Sequence, residues 1–344
     1  MSKETIVAEI RQKLEEANST KVSVALLGRT GVGKSSLINA LVGQEVATVS
    51  IQTDTTTAPE EYEWNHLIFV DLPGYNTQSF PAETFYQDFG LAHYDLILCV
   101  WCGKIEEQDV KIFQKVMAGP KPFLLVRSKW DTEKQRGKSK LELATLVEED
   151  FATQFGRPHP LFFVAVDPEE GLDVLQDAII AKLDDVKKTR WYESAKAYSK
   201  AFLAEKRKRC ERKVYLFAAL AAATSAIPIP GLGVAVDIGS LLALFELLKK
   251  DYGVNELTPK EVTAPALAKI ASEIIEYSTK EGALLLLKRY ASQVTVEEFS
   301  KYIPVVGQAI AASAGFYITN SAGMAFLRDC HILAEARLDV ALTP

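Results

Sequence analysis

The sequence predicts an α/β domain built on a mostly parallel sheet, followed by a domain that is all helical. Three observations predict it. Over the first 190 residues, continuous apolar runs of strand length alternate with helix-length segments; after Trp191 strand-like runs all but vanish, and the chain becomes rich in Ala, Leu, Lys and Glu at helical spacing. A glycine-rich loop stands between the first apolar run and the first helical segment. At 344 residues the chain exceeds one comfortable core and fits two packed units, given about 150 residues per domain.

Taken in order, residues 4–18 carry Ile6, Ile10, Leu14 and Ala17 at helical spacing, which predicts a short amphipathic helix packed on the helical domain. Runs 22–27, 67–72, 96–101, 123–127 and 161–165 read as strands. Each is apolar throughout instead of alternating, so both sheet faces must be covered. Segments 34–42, 109–117, 139–155 and 172–183 read as the covering helices. Residues 62–64, a turn at Asn65-His66 and the run from Leu67 predict a hairpin that adds one antiparallel edge strand. The expected boundaries are 1–20 for the N-terminal helix, 21–189 for the α/β domain and 190–344 for the helical domain.

Composition narrows the classes. With 48% hydrophobic and 24% charged residues the chain is neither disordered nor fibrous, and a net charge of -6 argues against a surface built for nucleic acid. Four cysteines cannot make a disulfide scaffold, and the polar start of the chain is no signal peptide; cytoplasmic placement is the expectation. Residue 2 is Ser, which excludes N-myristoylation. The stretch 187–213 holds eleven Lys/Arg against three Glu and leads into an apolar segment, the pattern of a membrane-surface element and equally of a solvated helix face. Pro228, Pro230, Gly231, Gly233 and Asp237 interrupt that apolar segment, so no transmembrane span is expected. Two similar turns, Ile227-Pro228-Ile229-Pro230-Gly231 and Ile303-Pro304-Val305-Val306-Gly307, suggest two similar helical hairpins.

The chemistry sits at the front. Gly28, Arg29, Thr30, Gly31, Val32, Gly33, Lys34 and Ser35 form a complete phosphate-binding loop in strand-loop-helix context, with Ser36 next in the helix. Glycines let successive backbone N–H groups turn toward a phosphate, Lys34 neutralises β/γ oxygens, and the Ser35 hydroxyl suits Mg²⁺. Asp71-Leu72-Pro73-Gly74 closes an apolar strand, where Asp71 can hold Mg²⁺ through water and the Gly74 amide can touch a γ-phosphate. Between them stand Thr55, Thr56 and Thr57, one of which is placed to close on Mg²⁺; Thr55 and Thr56 are the candidates for that ligand, and Thr56 with Lys34 and Gly74 for the hydrolytic step. That order is the wiring of a nucleotide switch. After the fourth apolar run comes Ser128-Lys129-Trp130-Asp131. An Asp131 carboxylate can accept from guanine N1–H and N2–H₂ together, which adenine cannot offer, and the Lys129 stem can lie over the ring. GTP and GDP are therefore the expected substrate and product. The usual first residue is Asn or Thr; Ser128 preserves a hydroxyl but loses reach.

These motifs, with "FVDLPGYN" around Asp71–Gly74, "KIEEQDVKIF" around Glu106, "LLVRSKWDTE" around Lys129 and "SAIPIPGLGVAVDI" at 225–238, resemble the immunity-related GTPase (p47 GTPase) family over essentially the whole chain. The resemblance implies a GTPase domain flanked by N- and C-terminal helices, nucleotide-dependent self-association through the GTPase domains, and peripheral action on membranes of intracellular compartments. A second reading stays open, a monomeric Era-like switch serving ribosome assembly or RNA binding; the helical, Ala-rich second half argues against its β-containing RNA module. Tyr75 stands where Ras-like enzymes place a water-orienting Gln, so hydrolysis by a lone chain is expected to be slow. Glu106 and Glu107 are candidates for contacts between two chains, or acids at a helix start. Cys99 and Cys102 read as core residues.

Overall fold

The computed structural model describes residues 5, 8–12, 19–49, 58–75, 84–224, 237–255, 264–291 and 314–341. Contacts divide the chain into two compact units, Lys21–Tyr198 and Met1–Thr20 with Ser199–Pro344. The first unit extends nine residues past the boundary read from the sequence. The reason is Trp191, which is fully buried and meets Phe69 edge to face with ring centroids 6.1 Å apart.

The first unit is a six-stranded sheet in the order β2-β3-β1-β4-β5-β6, formed by Val22–Leu27, Glu60–Trp64, Leu67–Asp71, Leu96–Trp101, Phe123–Arg127 and Leu161–Phe163 taken as β1 to β6 in chain order. Every neighbour pair is parallel except β2 with β3. That hairpin turns at Asn65, whose φ of 52 is a left-handed conformation that Asn tolerates better than most residues. The apolar runs bury both sheet faces. Ala25, Leu27, Ile97, Cys99 and Trp101 join Ile112, Phe113 and Phe151 on one face, while the alternate Val24, Leu26, Leu98 and Val100 are also buried.

The helices are Lys34–Val42 (α1), Phe85–Asp88 (α2), Glu107–Ala118 (α3), Lys140–Phe155 (α4), Leu172–Lys182 (α5) and Asp185–Ser194 (α6). The expected start of α4 at 139 is its cap: the Ser139 side chain accepts from Glu142 N, and Glu142 reaches back to Ser139. The fifth apolar run is shorter than expected as a strand. Val164 leaves the sheet, and Ala165–Val166 pairs instead with Glu169–Glu170.

The second unit is helical: Lys200–Thr224 (α7), Ile238–Asp251 (α8), Pro265–Tyr277 (α9), Lys280–Ala291 (α10) and Ala314–Ala341 (α11). Phe245 and Phe326 stack with centroids 3.9 Å apart. At Gly323 a Cβ would lie 2.7 Å from Val214 Cγ1, so only glycine allows that approach. Ile10 is buried with Ala218, Ala219, Ala223 and Phe316. The two Ile-Pro turns, 227–231 and 303–307, lie outside the described residues, as do Gly233 and Gly307.

Candidate functional site

The strand order brings the sequence motifs together. The loop Gly28–Gly33 leaves the end of β1, and Asp71 ends β3, its neighbour, in register with Leu26. Gly31 and Gly33 take φ of 78 and 92, left-handed values that a side chain resists. At Gly28 a Cβ would lie 2.2 Å from the Val100 carbonyl oxygen, so the loop can rest on β4 only with glycine there. No side chain caps the start of α1 at Gly33, which leaves its first N–H groups directed at the loop's interior. Ser36 is half-buried in the first turn.

Lys34 folds back over this loop. Its Nζ donates to the Gly28 carbonyl at 3.1 Å and the Arg29 carbonyl at 3.4 Å and stands 3.5 Å from Asp71 Oδ1. Burial pushes the Lys34 ammonium below its ordinary pKa against the pull of Asp71. Burial likewise pushes the Asp71 carboxyl up, against Lys34 and the Ser35 hydroxyl. Ser35 Oγ donates to Asp71 Oδ2 at 2.6 Å. Asp71 Oδ1 is buried and accepts no hydrogen bond among the described residues. A hydroxyl and a carboxylate are the hard oxygen donors that Mg²⁺ takes, so the residues present fit that ion. Thr55, Thr56 and Thr57 lie outside the described residues.

Gly74 lies tight against the loop: a Cβ there would be 2.4 Å from Thr30 Oγ1 and 2.8 Å from Thr30 N. Tyr75 is turned away into the core, where it meets Phe85 and Phe113 edge to face and donates its hydroxyl to Asp109 Oδ1. Burial, and then the Asp109 carboxylate, push that hydroxyl well above its usual pKa, so it remains a donor. Arg29 does not reach across the loop. Its guanidinium donates to Asp109 Oδ1 at 3.1 Å, to Glu106 and to the Lys104 carbonyl at 3.3 Å.

The base-side loop follows β5. Ser128 Oγ donates to the Val32 carbonyl at 2.6 Å, with the Trp101 carbonyl 3.0 Å away. The short Ser128 side chain reaches that carbonyl because the residue is buried directly under the phosphate loop. Lys129 sits at φ 55, left-handed, and its Cε comes within 3.8 Å of a Cβ built on Gly33. Asp131 is half-buried in the single turn Trp130–Thr132. Trp130 anchors that turn through its backbone N–H to the Val164 carbonyl at 3.0 Å and through Phe163, with ring centroids 4.5 Å apart.

A profile of the interferon-inducible GTPase (IIGP) family matches residues 3–305. The chain belongs to that family. Interferon-inducible GTPase 1 of Mus musculus is 23% identical, covering 96% of this chain and 82% of its own length. Interferon-inducible GTPase 5 of Rattus norvegicus is 25% identical over 78% of this chain and 60% of its own length. Among solved structures, Aquifex aeolicus Era bound to GDP.AlF4- aligns with 57% of this chain and 68% of its own at 20% identity and a TM-score of 0.39.

Two features of this GTPase were not read from its sequence. Asp109, fully buried, gathers Tyr75 and Arg29; its signal was its place three residues after Glu106, the spacing of a capping box, which both side chains complete. Phe163 and Val164 hold the loop after β5 through Trp130, and no residue type marks them. The structure also accounts for Glu106 and Glu107 within one chain. Glu106 caps α3 and pairs with Arg29, while Glu107 pairs with Lys111 at 2.9 Å.

The basic stretch 187–213 is largely matched inside each unit. In the first, Lys187 pairs with Asp95 at 2.9 Å, and Arg190 pairs with Glu193. In the second, Arg207, Lys208 and Arg209 pair with Glu211 or Glu205, and Lys213 pairs with Asp251 at 2.6 Å. Among the described residues no helix is long and apolar enough to cross a membrane. Cys99 is buried in β4 as expected, whereas Cys102 lies past the strand end and is half-buried.

Proposed function

We propose that this chain is a GTP-dependent molecular switch whose hydrolytic turnover requires a second copy of itself, joined through the GTPase domains. The observation that carries the reading is Tyr75, buried and committed to Asp109. The position that supplies a water-orienting amide in Ras-like enzymes carries a buried phenol here, which supports the reading that the missing groups come from a second chain.

Within the chain, the glycine loop 28–33 cradles the phosphates and Lys34 offsets their charge. The burial that disfavours charge on both Lys34 and Asp71 supports this division of labour. A triphosphate would give Lys34 an anionic partner in place of Asp71, and a divalent cation would take up the carboxylate that Lys34 then leaves. Ser35 and Asp71 would hold Mg²⁺ together with Thr55 or Thr56, and the ion would neutralise charge on the β- and γ-oxygens. Asp131 selects guanine, and Lys129 covers the ring. Gly74, set against Thr30, is the point at which a third phosphate is sensed.

Action at the surface of an intracellular membrane is the remaining part of the proposal. The family resemblance supports it; the basic stretch does not, because its charges are mostly matched by acids of its own unit. The monomeric RNA-directed reading is disfavoured by the second unit, which contains no strand among the described residues. Sedimentation without nucleotide, in GDP and in a non-hydrolysable GTP analogue, each with and without anionic liposomes, tests the whole reading. Larger species in the analogue alone, co-sedimenting with liposomes, are expected; monomer in all six conditions would contradict it.

A further inference from the structure

Asp109 has more partners than a helix cap requires. Its Oδ2 accepts the Glu106 backbone N–H at 2.8 Å, which completes the cap of α3. Its Oδ1 accepts from two side chains of distant motifs, the Tyr75 hydroxyl and Arg29 Nε at 3.1 Å. The carboxylate is fully buried. A buried carboxylate costs stability unless its oxygens are satisfied, and here satisfaction comes from the phosphate loop and from the residue after Gly74.

The chain neighbours of those two donors meet each other. Thr30 follows Arg29, Gly74 precedes Tyr75, and a Cβ on Gly74 would stand 2.4 Å from Thr30 Oγ1. Arg29 has no freedom to relax this arrangement, since its other donors go to Glu106 and the Lys104 carbonyl. Nor has the Tyr75 ring, held between Phe85 and Phe113.

We propose that Asp109 is a positioning residue for sensing the third phosphate: by holding Tyr75 and Arg29 on one oxygen it fixes Gly74 against Thr30, in the place where a γ-phosphate is met. The consequence is selective. A diphosphate is held by the glycine loop, Lys34 and the base-side loop, none of which depends on Gly74, whereas a triphosphate needs Gly74 at a set spacing. The inference rests on the guanine-nucleotide reading of the site.

The test compares the full chain with Tyr75→Phe, Asp109→Asn and the double variant. Calorimetry gives affinities for GDP and for a non-hydrolysable GTP analogue; single-turnover hydrolysis gives the rate. Tyr75→Phe keeps the ring in the core and removes only the hydroxyl. GDP affinity should stay within about twofold while analogue affinity and single-turnover rate each fall about tenfold, the size expected for one hydrogen bond to a charged acceptor. The double variant should lose less than the two single losses combined, because both weaken the same Tyr75–Asp109 contact, Tyr75→Phe by removing its donor and Asp109→Asn by removing the charge of its acceptor. An unchanged ratio of analogue to GDP affinity in Tyr75→Phe would overturn the proposal and leave Asp109 as a cap, and this variant decides the matter even if Asp109→Asn fails to fold. Failure of the unsubstituted chain to bind either nucleotide is a separate result, and would overturn the reading of the site itself.

Discussion

Ser128 Oγ donates to the Val32 carbonyl oxygen at 2.6 Å, and this bond fastens the base-side loop to the phosphate loop across 96 residues of sequence. The two loops are thereby held at a fixed separation. Ser128→Ala removes the donor and leaves two buried carbonyls less well satisfied, a loss of about 1–3 kcal/mol. Thermal unfolding should show that loss, and calorimetry should show GDP and GTP weakened alike, because the bond lies beneath both loops. Ser128→Thr, which keeps the hydroxyl, should restore binding.

Asp131 is the residue proposed to choose the base. Asp131→Asn exchanges an acceptor for a donor facing the position of guanine N2, so preference should move toward xanthine nucleotides. Competition between GTP, XTP and ATP for the variant and the unsubstituted chain measures it. Equal GTP and ATP affinity in the unsubstituted chain would remove guanine selection from Asp131.

Gly74→Ala places a methyl group 2.8 Å from the Thr30 backbone nitrogen, which cannot rotate out of the way. The segment after β3 must shift away from the loop. Single-turnover GTP hydrolysis should drop by about tenfold or more while GDP binding changes little, since a displacement of about 1 Å at a reacting group costs on that scale or beyond.

Asp95 predicts the acid limb of stability. Burial pushes its carboxyl up, but the Ser23 backbone N–H at 2.9 Å, Lys187 at 2.9 Å and the Ser23 hydroxyl outweigh that and hold it below its usual value. A depressed carboxyl contributes stability that is present above the unfolded pKa of about 3.9 and is lost as pH falls through the folded value. Asp95→Asn should therefore lower stability at neutral pH and flatten its decline in acid. Denaturant melts between neutral pH and pH 3 read both effects.

Much of this was legible in the chain because the signals were local. The strands 22–27, 96–101 and 123–127 and the helix Lys34–Val42 stand where continuous apolar runs and helical spacing placed them. The glycines of the phosphate loop announce their backbone geometry by being glycine. Asp109 was hidden for the opposite reason: its partners Tyr75 and Arg29 lie 34 and 80 residues away, and only the adjacency of β3, β1 and β4 brings them together. The extent of the first unit was hidden likewise. The segment 185–194 carries a basic, surface-like pattern, yet Trp191 within it is a core residue because it finds Phe69 on the sheet.

The central claim is that one copy of this GTPase lacks a complete hydrolytic site, and specific activity against protein concentration tests it most directly. Groups supplied by a partner are worth about 10³–10⁵ in rate in related chemistry, a range wide enough to be seen over a hundredfold dilution series at saturating GTP. GTP hydrolysis per molecule should rise with concentration and fall toward a slow intrinsic rate on dilution. A specific activity that stays constant across the series would show that the single chain contains all it needs, and would contradict the account.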